Sequence, residues 1–136
     1  MRRLLLAVAL CTLPMACAGQ PQVHEGAIIR GGQEVAVEVR DWVEDLEVSE
    51  VVGRKDGERT AVQFRLANTR DEPMRVQLTW EWADHDGILL RSAVDERQEE
   101  ILLLRSGQER VKTFLSPTEK AVRFTARLVE LVPREH

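Results

Sequence analysis

Between residues 74 and 82 the chain alternates without a break. Met74, Val76, Leu78, Trp80 and Trp82 hold one parity; Arg75, Gln77, Thr79 and Glu81 hold the other. Successive side chains of a strand point to opposite faces, so a strand gathers these five apolar residues on one side. A helix would scatter them around its circumference. The segment therefore demands a second layer over its apolar face, and the rest of the chain must supply it.

Other segments repeat the pattern. Val35, Val37 and Val39 alternate with Ala36, Glu38 and Arg40; Leu46 and Val48 follow, with Val52 beyond. Val62, Phe64 and Leu66 alternate with Gln63 and Arg65, and Val122, Phe124, Ala126 and Leu128 with Arg123, Thr125 and Arg127. Ile88–Leu90, Ile101–Leu104 and Glu109–Leu115 read as further short strands. Turn residues separate them: Lys55-Asp56-Gly57, Asn68 to Pro73, Asp84-His85-Asp86-Gly87, Ser106-Gly107 and Ser116-Pro117. Gly87 is expected to close a hairpin at positive φ. Ser92 to Glu100 reads as a short helical turn or an irregular crossing. The competing reading is a helix on Val39, Trp42, Val43 and Leu46. About seven strands at spacings of roughly 8–12 residues point to an all-β protein, an antiparallel β-sandwich of immunoglobulin-like type. Trp80, Trp82 and Phe124 are expected in its core.

The N-terminus reads differently. Arg2 and Arg3 precede an apolar run from Leu4 to Leu10, and Ala16 precedes Cys17. A short basic region, an apolar stretch too short to span a bilayer and a small residue before the cut are the marks of an export signal. The small residue followed by cysteine resembles the lipobox of bacterial lipoproteins. Leu normally stands three residues before that cysteine; here Pro14 does, with Leu13 one further back. The resemblance implies a lipid on Cys17, and Ala18 after it favours the outer membrane under the sorting pattern of enteric bacteria. A plain secretory signal would leave a soluble periplasmic protein instead. Residues 1–16 are thus assigned to the signal peptide, 17–33 to the lipidated cysteine and a Gly- and Gln-containing tether, 34–132 to the sandwich and 133–136 to a tail. Ala27 to Arg30 and Val35 to Val39 also have the makings of a hairpin around Gly31-Gly32.

Cys11 and Cys17 both fall in this leader region, so cleavage before Cys17 leaves a domain without a disulfide, held by packing. Of 19 basic residues, Arg2 and Arg3 lie in the leader; the remaining 17 face 23 acids, a net charge of −6. An acidic domain lacks the footprint for nonspecific nucleic-acid binding.

Four segments carry a family likeness: Val62 to Asn68, a strand ending in Asn; Val76 to Gly87, an aromatic strand running into an Asp-x-x-Gly turn; the Ser106-Gly107 turn before a strand ending at Ser116-Pro117; and the last strand, centred on Phe124. From about Glu58 to Leu128 the chain resembles the YcfL-like family of small periplasmic lipoproteins, whose domain has no assigned function. It departs from that pattern in having no tyrosine. The resemblance implies a sandwich at the cell envelope and carries over no catalytic residue.

Catalytic, metal and cofactor residues are not expected. Asp84, His85 and Asp86 are metal-capable, but three consecutive residues at a hairpin tip do not converge on one ion. His24 and His136 lie in the tether and tail. Ser92, Ser106 and Ser116 stand in turns without a nucleophile elbow. The remaining candidate is a surface. Arg75, Gln77, Thr79, Arg123, Thr125 and Arg127 point away from the core side of two strands, and form one patch if those strands are neighbours. The expectation is a non-enzymatic interaction module, held to the membrane through its N-terminal lipid and gripping an envelope protein. A small envelope hydrolase or metal-binding protein is the alternative.

Overall fold

The computed structural model describes residues 26–91 and 98–132. Among them lie nine strands: β1 (Ala27–Gly31), β2 (Ala36–Asp41), β3 (Leu46–Asp56), β4 (Arg59–Asn68), β5 (Met74–Ala83), β6 (Leu89–Leu90), β7 (Glu99–Leu104), β8 (Glu109–Leu115) and β9 (Arg123–Glu130). The larger sheet runs β1-β2-β9-β5, and β6 and β7 share the far side of β5. The smaller sheet is β3-β4-β8. The two pack face to face as a β-sandwich.

The alternation read from sequence decides which residues enter. Val37, Val39, Val76, Leu78, Leu102, Leu104, Phe124 and Leu128 from the larger sheet meet Val62, Phe64, Leu66 and Phe114 from the smaller. Fully burying each such side chain contributes about 1.5–3 kcal/mol. Aromatic rings link the layers: Phe64 to Phe114 at 5.4 Å, Phe114 to Phe124 at 4.9 Å and Phe124 to Trp82 at 4.8 Å between centroids. Trp82 and Phe124 are buried as expected. Trp80 is not central: it is half-buried and leans on Phe114 at 4.9 Å. It packs against the core from a partly exposed position.

Three expectations need correction. The sandwich is not wholly antiparallel, because β2 runs parallel to β9, with Val37 beside Phe124 and Val39 beside Ala126. Alternation assigns faces but carries no information on a neighbour's direction. The strand count is nine rather than about seven, and one of the added strands, β1, lies inside the segment assigned to the tether. It pairs with β2 from Ala27↔Asp41 to Gly31↔Val37, the hairpin that Gly31-Gly32 allowed. And β7 starts at Glu99, within the stretch expected to be helical or irregular; residues 92–97 lie outside the described residues. The region offered as a helix is instead β2, a turn at Glu44-Asp45 and the start of β3.

On one flank β2 approaches β3 so closely that only glycine fits. A Cβ on Gly53 would stand 2.7 Å from Val37 Cγ2 and 3.2 Å from the Val35 carbonyl. Beside it β3 bulges between Ser49 and Val52, with Glu50 at φ 52°.

The corner before β5 is pinned by distant partners. Asn68 is almost wholly buried. Its Nδ2 donates to the carbonyls of Glu72 (2.9 Å), Leu104 (3.1 Å) and Arg105 (3.2 Å), and its Oδ1 accepts from the Arg70 amide (2.8 Å). Arg70 then grips Glu130 at the end of β9, with Nη1 2.7 Å from Oε1, and donates to the Glu44 carbonyl at 3.0 Å. Hydrogen bonding to the Glu130 carboxylate, outweighing desolvation, holds the Arg70 guanidinium above the usual arginine range.

Candidate interaction surface

The outer face of the larger sheet is built by the second parity of β5 and β9. These strands are antiparallel neighbours, with Gln77 opposite Val129, Thr79 opposite Arg127, Glu81 opposite Thr125 and Ala83 opposite Arg123. The condition attached to the sequence-derived patch is therefore met: Arg75, Gln77, Thr79, Arg123, Thr125 and Arg127 share one contiguous face. The three arginines are exposed; Gln77, Thr79 and Thr125, between larger neighbours, are half-buried. Among the described residues Arg75, Arg123 and Arg127 make no ion pair, whereas Arg40 on the neighbouring β2 is taken by Glu38 at 3.0 Å.

Several members of this face escaped the sequence reading. Val129 follows Arg127 in the outward parity and is 45% exposed. Ile101 and Leu103 of β7 stand opposite Gln77 and Arg75 and are 52% and 54% exposed. Trp42 continues the β2 alternation outward; its amide donates to the Leu128 carbonyl at 3.0 Å, extending the ladder past Asp41. Val129 was legible, since its alternation is unbroken. Ile101 and Leu103 were not, because Ile101 to Leu104 is apolar at both parities. Trp42 entered the sequence reading only through the competing helix.

The face has chemical relief. One end carries Arg123, Thr125 and Glu81; the other is apolar at Val129, Ile101 and Leu103. A dent of about 60 Å³ lies among Thr79, Glu81, Thr125 and Arg127. A wider groove of about 480 Å³ runs from Arg123 and Thr125 to the β1–β2 turn, where Arg30, Glu34 and Glu38 line it. Such a surface offers charged forks for carboxylates beside apolar area a partner can cover.

The other singled-out residues are turn chemistry. Asp84 Oδ1 accepts from the amides of Asp86 and Ile88, both at 2.9 Å, and Gly87 sits at φ 80°, as expected of a closing glycine. His85 and Asp86 are exposed at the tip, with Nε2 and Oδ1 3.5 Å apart. No three His, Cys, Asp or Glu side chains gather around a common point among the described residues. Ser106 Oγ donates to the Arg70 carbonyl at 2.8 Å. Ser116 Oγ is buried, accepting from the Thr60 amide and donating to the Thr118 carbonyl, both at 2.9 Å. Cys17, Cys11, His24, Ser92 and His136 lie outside the described residues.

Two solved structures share this architecture. A DUF1425 family member from Shewanella sp. pv-4 matches with a TM-score of 0.60 at 18% identity, over 85% of this chain and 100% of that one. The Campylobacter jejuni protein cj0090 matches with a TM-score of 0.52 at 21% identity, over 71% of this chain and 97% of that one. At such identities the likeness concerns the fold. No functionally curated protein matches the chain. The family model described as "Protein of unknown function (DUF1425)" matches residues 33–130, and the chain belongs to that family.

Proposed function

We propose that this DUF1425 protein is a YcfL-like envelope lipoprotein. Cys17 anchors it at the periplasmic face of the outer membrane, and its sandwich acts without catalysis by holding an envelope protein against the outer face of the larger sheet. The observation that carries this reading is that face itself: three arginines without an ion pair among the described residues, aligned with polar residues on two adjacent strands and bordered by exposed apolar side chains. Arginine's planar fork pairs with carboxylates and is enriched at interfaces. In this reading, confinement by the anchor also raises the effective concentration of a weak binder.

The test is charge reversal on the face. Arg123→Glu with Arg127→Glu should cut capture of the partner, read by crosslinking in intact cells, by about tenfold. The melting temperature should stay within about 2 °C, because both side chains are exposed. Undiminished capture would reduce the face to ordinary solvated surface. Cys17→Ala should move the protein from the membrane to the soluble periplasmic fraction, and unchanged fractionation would refute the anchor. Saturable hydrolysis of a cell-wall or ester substrate by the purified protein would refute the non-enzymatic reading.

A further inference from the structure

Strand β7 ends the larger sheet. Among the described residues it pairs with β5 alone, leaving its other edge as a row of backbone donors and acceptors. The geometry identifies which residues face out. The Gln98 carbonyl accepts from the Trp80 amide on the β5 side at 3.1 Å, whereas the Leu103 carbonyl points the other way, where Arg110 Nη2 reaches it at 3.4 Å. Alternate residues of an antiparallel strand direct their backbone groups to the same side. Glu99, Ile101 and Leu103 therefore present theirs to the open edge, and their side chains lie on the exposed outer face.

We infer that this edge pairs with the β7 edge of a second copy, antiparallel and centred on Leu102. The strand reads Glu99-Glu100-Ile101-Leu102-Leu103-Leu104 and is followed by Arg105. Reversed upon itself about Leu102, it matches its own complement. Ile101 falls opposite Leu103 of the second copy, and Glu99 opposite its Arg105. Both Ile101 and Leu103 direct backbone groups outward, so each opposed pair exchanges two ladder bonds, with Arg110 releasing the Leu103 carbonyl. The Arg105 amide is already taken by Gln108 Oε1 at 2.9 Å, so the ladder ends there and Arg105 contributes its side chain. Glu99 accepts from Gln77 Nε2 and keeps a second oxygen for the arginine. A two-fold contact needs this self-complementarity, since the same patch serves both copies.

The edges of β3, β1 and β8 are less suited to such pairing. β3 carries the Glu50 bulge, a feature that twists an edge away from partners. β1 ends at Gly31, packed against the Val51 backbone. β8 has Glu109 at one end, but Ser116-Pro117 at the other supplies no opposite charge. The two-fold axis would stand perpendicular to the sheet, so the outer faces of both copies would lie on one side. This inference rests on β7 and stands whether or not the arginine face grips another protein.

The experiment is sedimentation velocity on the full-length protein in detergent, with Glu99→Arg, Arg105→Glu and an equimolar mixture of the two. Wild type should self-associate reversibly to a dimer. Each variant alone opposes like charges at both ends of the ladder and should weaken association about tenfold. The mixture restores both opposite-charge pairs and should recover the wild-type affinity as a heterodimer. Wild type remaining monomeric at about 0.5 mM would overturn the inference, because even small interfaces register there. So would variants that dimerise like wild type, or a mixture no stronger than its components. Thermal melting of each variant verifies that the fold is intact. The charge reversal at Arg123 and Arg127 should leave this association unchanged, which separates its failure from that of the arginine face.

Discussion

The two turns that flank β5 are held in opposite ways. The turn after it, Asp84 to Ile88, is closed from within. Asp84 caps the amides of Asp86 and Ile88, its carbonyl accepts from the Gly87 amide at 3.0 Å, and Gly87 supplies the positive φ. The corner before it, Asn68 to Pro73, has local bonds from Asn68 to Arg70 and Glu72 but is also tied from outside. Asn68 reaches the end of β7 and the turn beyond it; Arg70 reaches Glu130 of β9 and Glu44 before β3. A self-contained turn tolerates change because water replaces each lost partner. A corner that ties several segments together through a buried side chain does not, since the bond from Asn68 to the Leu104 carbonyl lies away from water.

The sharpest test of that contrast is Asn68→Ala. It removes the only side-chain donor to the Leu104 carbonyl among the described residues, together with those to Glu72 and Arg105. Denaturant unfolding should show a loss of about 2–4 kcal/mol, with the substitution of one buried residue disturbing both sheets. A loss under about 1 kcal/mol would mean that the corner relaxes to water and the contrast is false.

Gly87→Ala comes next, at about 1 kcal/mol. A Cβ there meets nothing within 4 Å, so the whole effect is the backbone cost of φ 80° for a residue with a side chain. An unchanged melting temperature would show that the turn shifts to another geometry at no cost.

Asp84→Ala should have the smallest effect, about 0.5–1 kcal/mol, because its hydrogen bonds are exposed. If it equals Asn68→Ala, local and long-range closure do not differ in the way proposed.

The same division separates what was readable beforehand from what was not. The Asp84 to Gly87 turn was legible since each residue carries its own conformational reason. Asn68 was noticed as the end of a strand, but its role was hidden, because Leu104 and Arg105 are 36 and 37 positions away in the chain. Trp80 and Trp82 share a parity and were read as equals. The fold buries Trp82 against Phe124 of its own sheet and leaves Trp80 half-buried against Phe114. The candidate surface was legible by parity on β5 and β9, whereas the contribution of β7 was masked by an unbroken apolar run.

Period-2 alternation and turn chemistry were enough to say that this chain is all-β, which residues face inward along each clean strand, and where several hairpins turn. Those properties depend on neighbours within a few residues, whose geometry the backbone dictates. Strand order, the parallel placement of β2 beside β9, the entry of β1 into the sheet and the exposure of the β7 edge were settled by packing. A strand's own residues specify its faces but not which strand lies alongside or in which direction. That choice follows from how two sheets of unequal width enclose one core.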